Sequence, residues 1–484
     1  MKDFNNRIAV AYGDGIGPEI MEAVIRIFQN AEVNLIIDTI SAGEEQYRRN
    51  YETGIPPSAW DTIKNNRILL KAPITTPQGK GYKSLNVTLR KTLGLYANIR
   101  PVQSYDPFIK CNFPNMNLVV VRENEEDLYA GIEYRLTDEV YESLKLITRS
   151  GSEKIAKFAF DYAIKNNRKK VTCFIKDNIM KLSDGAFYKA FAEVSKSYPE
   201  IENDQMIIDI ATAKVAANPE MFDIIVTENL YGDIISDVAA EVAGSVGLCG
   251  SANIGENYAM FEAVHGSAPD IAGQNIANPT GLINASVMLL NHVCLFEKAA
   301  LIQNAVNYTI EQGVHTADLY DEKNSSKKVG TKEFTDEVIK NLGQKPSKLP
   351  AAKIKTEDSC EVRTVDLTSS PMISKERKLV GVDVFIDYSA TDLGEFGKSL
   401  TKETSKLKLN LQMISSKGLK IWPDVNAEGK PSDMVRCRFI SNAGNKEASH
   451  KDILELLTLL NKKNFTFIKT ENLYLYDETL GFSV

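Results

Sequence analysis

Six short apolar runs, IAVAY, RILLKA, NLVVV, VTCFI, MIIDI and DIIVT, recur through the first half of the chain, separated by helical stretches such as SEKIAKFAFDYAIKNN. Parallel neighbours need crossovers long enough to hold a helix, so this alternation predicts an α/β fold built largely on a parallel sheet. The 484 residues, 43% of them hydrophobic, can bury more than one core. The first unit, IAVAY-GDGIG followed by Pro18 and a helix face of Ile20, Val24, Ile27 and Phe28, imitates a dinucleotide fingerprint, and Asp38 lies at a fitting distance beyond it. Its spacing is G-x-G-x-G, whereas the pyrophosphate turn needs G-x-G-x-x-G, so a bare glycine turn is the alternative.

Between Asp127 and Arg149 two polar, alternating segments, AGIEYRLTD and YESLKLIT, predict a two-stranded arm. Such an arm is marginal alone, and it is either a dimerisation arm or an edge hairpin. Near Asn341 the composition turns rich in Lys, Ser and Pro without periodicity, which reads as a linker. Beyond it VGVDVFIDY, DLGEFGKSLTKETS, LKLNLQMIS, MVRCRFIS, SHKDILELLTLLNKKN and FTFIKTENLYLY give the order β-α-β-β-α-β, predicting a ferredoxin-like α+β domain without a catalytic cluster.

The net charge of -7, with dispersed basic residues, lacks the footprint of a nucleic-acid binder. No apolar run is long enough to cross a bilayer and the first residues read straight into a strand, so a cytoplasmic protein with no membrane partner is expected. Cys111, Cys173, Cys249, Cys294, Cys360 and Cys437 form no C-x-x-C pair, against zinc or a disulfide framework.

Four stretches carry chemistry. GKGYKSLNVTLRKTLGLYANIR, Gly79 to Arg100, gathers cations and small polar donors around one helix start. Ser84 and Asn86 lie where free backbone amides favour anions, and Arg90, Arg100 and Arg122 offer guanidinium forks, so the stretch is a solvated basic face or a site for a ligand with several carboxylates. In NLYGDIISD, Asp233 and Asp237 share a helix face and repel unless a hard cation joins them, with Asp209 after MIIDI as a third ligand. The alternative is that Asp233 caps the helix and Asp237 faces water. FEAVHGSAPDIAGQNIANP is a small-residue loop around His265 that lets backbone approach a nucleotide, or holds a structural histidine. Lys176, after VTCFI, is solvated or, if buried beside a cation, a base.

Together SLNVTLR, LYANIRP, RENEEDLYAGIEY, KDNIMK, NLYGDIISD and FEAVHGSAP, in one order over roughly 7–342, resemble the metal-dependent β-decarboxylating dehydrogenases, the isocitrate/isopropylmalate dehydrogenase family. That resemblance implies a non-Rossmann α/β fold with a clasp arm. Its large domain would span about 1–123 and 244–342, its small domain about 124–243 with the arm at 127–149, followed by a linker at 343–378 and the ferredoxin-like domain at 379–484. The last domain is similar to the extension of longer bacterial members.

By resemblance, Ser84 and Asn86 hold the γ-carboxylate of isocitrate, Arg90, Arg100 and Arg122 its other carboxylates, and Thr76 lies near substrate and nicotinamide. Asp209, Asp233 and Asp237 would bind Mg²⁺ or Mn²⁺. Tyr129 and Lys176 match the catalytic acid and base, with Asn178 beside them. Lys176 and Asp209 would reach into a neighbouring subunit's site, implying at least a homodimer. Glu262, His265, Gly266, Ser267, Ala268, Asp270, Ile271 and Asn278 would line the cofactor site. Asp270 and Ile271, with Ala317 and Asp321 on a later loop, stand where members that use NADP usually carry Lys, Tyr and Arg, so NAD is the expected cofactor. The implied reaction is a decarboxylating oxidation of the tricarboxylic acid cycle; within the family, 3-isopropylmalate or homoisocitrate is the rival substrate.

Overall fold

The computed structural model describes residues 6–76, 84–354, 376–388, 392–423, 430–441 and 447–483. Positions 79–83 of the basic stretch and 355–375 of the expected linker therefore lie outside the described residues. The chain divides into two compact units, Met1–Ala130 with Lys145–Leu367, and Gly131–Leu144 with Thr368–Val484. The arm, expected in the small domain, thus groups with the C-terminal residues.

In chain order the strands are β1 (Arg7–Ala11), β2 (Ile36–Ile40), β3 (Ile68–Lys71), β4 (Ala97–Gln103), β5 (Asn117–Glu123), the arm strands β6 (Glu133–Arg135) and β7 (Tyr141–Ser143), then β8 (Lys170–Ile175), β9 (Glu202–Ile207), β10 (Ile224–Thr227), β11 (Gly250–Ile254) and β12 (Ala259–Ala263). Among the described residues, all but the arm strands join one ten-stranded sheet, ordered β2-β1-β3-β12-β11-β4-β5-β10-β8-β9. Both flanks are parallel, as the alternation predicts. The centre is not: β11 runs antiparallel to β12 and β4, and β4 antiparallel to β5. Only Gly255–Tyr258 joins β11 to β12, which allows a hairpin and no crossover. Strand β10, read as DIIVT, is buried throughout, as a strand covered on both faces should be.

One local reading is decided for the bare glycine turn and one changes. GDGIG is packed on protein, since Gly15 has φ +58° and a Cβ there would lie 1.9 Å from the Ser267 carbonyl oxygen. Asp14 in the same turn accepts the amides of Glu44 and Thr75. This turn is a junction between segments rather than a phosphate loop. MIIDI is only partly a strand, because β9 ends at Ile207, where its partner β8 ends, and Asp209 lies in the first turn of helix Ile208–Ala217.

Cys111, Cys173, Cys249 and Cys437 are free thiols. His292 ends helix Thr280–His292 against the Phe261 ring, and its Nε2 is enclosed without a hydrogen-bond partner among the described residues. Burial pushes the imidazole down to about 4. The unfolded chain therefore binds a proton at His292 that the folded chain refuses between pH 6.5 and 4, and stability falls as pH drops through that window. We expect this to remove up to about 3 kcal/mol. His292→Phe should flatten that part of a urea-midpoint profile against pH, and an unchanged slope would assign the loss elsewhere.

In the second unit β6 pairs with β7, with Tyr134 opposite Glu142. Thr137 Oγ1 donates to Asp433 at 2.6 Å and Lys469 meets Glu142 at 2.6 Å, so the marginal hairpin finds support within its own unit. After the two-residue strands β13 (Val314–His315) and β14 (Lys327–Lys328) of the first unit come β15 (Arg377–Asp387), β16 (Leu409–Ser416), β17 (Leu419–Trp422), β18 (Met434–Ser441), β19 (Phe467–Tyr476) and β20 (Thr479–Leu480). They form an antiparallel sheet ordered β17-β16-β18-β15-β19-β20, with helices Leu393–Thr404 and His450–Lys462 at the expected points in the chain. This is the expected ferredoxin-like order, lengthened by β17 and β20 at its edges. Asp383 and Arg438, opposite each other on β15 and β18, form a buried two-pronged pair at 2.8 Å. Among the described residues no helix is long and apolar enough to cross a membrane.

Candidate active site

Three arginines expected to bind carboxylates do converge. Arg122, at the end of β5, has a side chain with no exposed surface. Its Nε and Nη2 donate to Asn229 Oδ1 at 3.0 and 2.8 Å, and its Nη1 to Asp233. Helix Asn229–Val242 can lie this close because Gly232 faces Arg122, where a Cβ would meet the side chain at 2.5 Å. Arg100, on β4, spans Asn98 at 2.7 Å, Ser236 at 2.7 Å, Asp233 at 3.2 Å and Asp237 at 3.4 Å. Arg90, in the last turn of helix Leu85–Thr92, is tied at 3.0 Å to Glu262, which also pairs with Lys71 at 2.7 Å.

Glu262 was expected to face the cofactor, but both its oxygens are engaged by Arg90 and Lys71, with Asn253 also donating to it. Burial alone would raise this carboxyl, yet the two cations hold it far below the usual range. Its geometry makes it the anchor of Arg90. Lys71, Asn98, Asn229 and Ser236 were missed by the sequence reading. Asn229 stands four residues before Asp233, a spacing that could have found it.

Burial raises Asp233, but Arg122 and Arg100 outweigh it and keep the carboxyl below its ordinary value. Asp237, more open, is raised by burial despite Arg100. Burial, reinforced by Arg100 and Arg90, pushes the Arg122 guanidinium down to about 10, still charged at neutral pH. The Tyr129 hydroxyl donates to Asp233, its ring lies 4.9 Å from the Arg122 guanidinium carbon, and burial raises its pKa. Thr76 reaches Ser84 at 3.4 Å across the start of helix Leu85–Thr92. Asn86 Oδ1 and Arg90 Nε are buried without a partner among the described residues, and an orphaned donor such as Arg90 Nε is what an anionic ligand would satisfy.

Among the described residues, Lys176 and Asp209 make no side-chain bond to this cluster. They pair with each other at 2.8 Å, and that bond draws the Asp209 carboxyl down. Asn178 is exposed. Ile179, Leu182, Ile210 and Ile234 are also exposed, each by about half or more. Among the described residues no three His, Cys, Asp or Glu side chains come together as a metal set, so Asp209 does not complete one with Asp233 and Asp237 in the same chain. The latter two offer oxygen donors on one helix face, which suits a hard divalent cation lacking some of its ligands.

The glycine-rich loop lies on β12 and the start of helix Thr280–His292. Burial lowers His265, whose Nδ1 lies 3.0 Å from the Gly266 carbonyl oxygen and whose Nε2 is enclosed without a partner among the described residues. Ser267 hydrogen-bonds Thr75 at 2.8 Å, and Ala268 takes the left-handed φ of 36° that turns the chain into Pro269–Ile271. Asp270 is exposed and Ile271 packs on the main core. Asn278 donates to Asp318 at 3.0 Å and accepts the Thr280 amide, fixing the loop's end.

The family model for isocitrate/isopropylmalate dehydrogenase matches residues 7–338. The chain belongs to the isocitrate/isopropylmalate dehydrogenase family. A second model, the C-terminal domain of bacterial isocitrate dehydrogenase, matches residues 377–484, so this family member also carries that extension. It is 55% identical to a Rickettsia felis protein named isocitrate dehydrogenase [NADP], over 99% of this chain and 98% of that one. A Thermus thermophilus protein of the same name is 40% identical, over 100% of this chain and 96% of the relative. A crystal structure of a Thermus thermophilus protein superposes with a TM-score of 0.91 at 40% identity, covering 99% and 95% of the two chains.

These names overturn the expectation of NAD. That expectation rested on single positions. The Asp321 carboxylate caps a local turn, accepting the amides of Lys323 and Asn324.

Proposed function

We propose that this family member is an isocitrate dehydrogenase, converting isocitrate and NADP to 2-oxoglutarate, CO₂ and NADPH with the help of Mg²⁺ or Mn²⁺. The observation that carries this is the meeting of Arg100, Arg122, Asp233 and Tyr129. Lys71, Arg90, Arg100 and Arg122 outnumber Glu262, Asp233 and Asp237 there, a surplus of positive charge suited to a tricarboxylate. Relatives named isocitrate dehydrogenase [NADP] support the substrate and cofactor.

Arg90, Arg100 and Arg122 hold carboxylates by paired hydrogen bonds, while Ser84 and Asn86 receive the one that distinguishes isocitrate from isopropylmalate. Asp233 and Asp237 would hold the metal, with Asp209 of a second copy. When bound, the metal supplies Lewis acidity at the substrate's hydroxyl and adjacent carboxylate, and NADP accepts the hydride. Lys176 takes the hydroxyl proton, and Tyr129 returns a proton to the carbon that has lost CO₂. His265, Gly266, Ser267, Ala268, Asp270, Ile271 and Asn278 line the cofactor side, with Thr76 between cofactor and substrate.

A homodimer with shared sites is part of this reading. The separate Lys176–Asp209 pair and the exposed Ile179, Leu182, Ile210 and Ile234 support it. The test is NADPH formation, followed by its absorbance, with isocitrate and Mn²⁺, repeated with a chelator and with 3-isopropylmalate. Turnover should need isocitrate and metal. Faster reaction with isopropylmalate, or none with isocitrate, would overturn the proposal.

A further inference from the structure

Lys145 follows the arm directly and takes no part in the chemistry above. Its ammonium nonetheless lies among three almost wholly buried carboxylates, 2.7 Å from Asp184, 3.9 Å from Asp127 and in contact with Glu228. It also lies 4.7 Å from the centre of the Tyr231 ring.

Two of these carboxylates use their other oxygen on backbone that leads to the active site. Asp184 Oδ2 accepts the Lys176 amide at 2.7 Å. Asp127 Oδ2 accepts the Leu230 amide at 2.8 Å, in the first turn of helix Asn229–Val242, which carries Asp233 and Asp237. Asp127 also precedes the turn Leu128–Ala130 that presents Tyr129, and Glu228 is the residue from which helix Asn229–Val242 starts. Three segments bearing Lys176, Tyr129 and Asp233 therefore meet at carboxylates that would repel one another without the ammonium.

We propose that Lys145 is a positioning residue that holds the Lys176 segment, which serves one site of the dimer, together with the Tyr129 turn and the Asp233 helix, which serve the other. This rests on the isocitrate dehydrogenase reading of those residues. Arg122 and Arg100 are themselves bonded to Asn229, Ser236, Asp233 and Asp237 of that helix, so a drift of the helix should weaken substrate binding as well as misplace the proton-transfer groups.

The test uses the full-length protein with isocitrate, Mn²⁺ and NADP. In Lys145→Met kcat should fall about 10²-fold, the size expected when reacting groups are misplaced by about 1 Å, with a rise in KM for isocitrate as the helix-bound arginines shift. Lys145→Arg, which keeps the cation, should recover much of the loss. Glu228→Gln removes the carboxylate that contacts Lys145 directly, so Lys145→Met/Glu228→Gln removes both charges of that pair if the single variant fails to fold. That folded double variant should still lose kcat, and a kcat within about threefold of wild type would overturn the proposal. Amide exchange at Lys176 and Leu230 needs no turnover. Faster exchange at both in the folded double variant supports the link, and unchanged exchange overturns it. Wild-type protein inactive on isocitrate would overturn the reading of the reaction, while the exchange measurement would still decide the link.

Discussion

Asp233→Asn should lower kcat/KM for isocitrate by about 10³-fold while leaving a folded protein. The substitution keeps the shape of the side chain and removes its charge, which the site uses three times over. Arg122 and Arg100 both pair with Asp233, Tyr129 donates to it, and it is one of the two carboxylates of helix Asn229–Val242 proposed to hold the metal. Arg122 would keep its hydrogen bonds to Asn229, so the fold should lose about 1–3 kcal/mol, less than for an arginine left with no partner. The measurement is steady-state kinetics across a Mn²⁺ titration, beside circular dichroism on heating. A variant within about tenfold of wild type at saturating Mn²⁺ would show that Asp233 serves the arginines and not the metal.

Mixing two dead variants should restore activity. If Lys176 and Asp209 act in the site of a second copy, a Lys176→Ala homodimer and an Asp233→Asn homodimer each lack one group in both sites. A mixed dimer instead has one complete site and one site missing both groups. Random reassortment of equal amounts should therefore give roughly a quarter of wild-type activity. Sites built within single chains would give no recovery, since each would keep its own defect. The prediction is sharp because the Lys176–Asp209 pair makes no side-chain bond to the Asp233 cluster among the described residues, and Ile179, Leu182 and Ile210 surround it with exposed apolar surface. Controls are the two variants alone, carried through the same dissociation and reassociation, and light scattering to show that dimers have reformed.

Much of this could be read along the chain because the physics concerned is local. Alternating apolar runs and amphipathic helices are consequences of burial at fixed periods, so the α/β sheet and the ferredoxin-like domain were legible from pattern alone. The ordered motifs marked Arg100, Arg122, Tyr129 and Asp233, which the structure brings together, since Arg122 lies near the end of a strand and Asp233 near the start of a helix that the pattern already marks. Cofactor choice was misread because Asp270, Ile271, Ala317 and Asp321 were read one position at a time, and the relatives named for NADP overturn that reading.

The sequence by itself determined which residues are chemically able to bind a carboxylate, take up a proton or hold a hard cation, and it determined the elements on which they ride. Only the tertiary structure decided which of them share a space. It set Arg122 under Gly232, turned Glu262 into the anchor of Arg90, placed Lys145 among Asp127, Asp184 and Glu228, and left Lys176 with Asp209 outside the arginine cluster. Those pairings join residues up to about two hundred positions apart, and their strength depends on burial and distance, which no local period encodes.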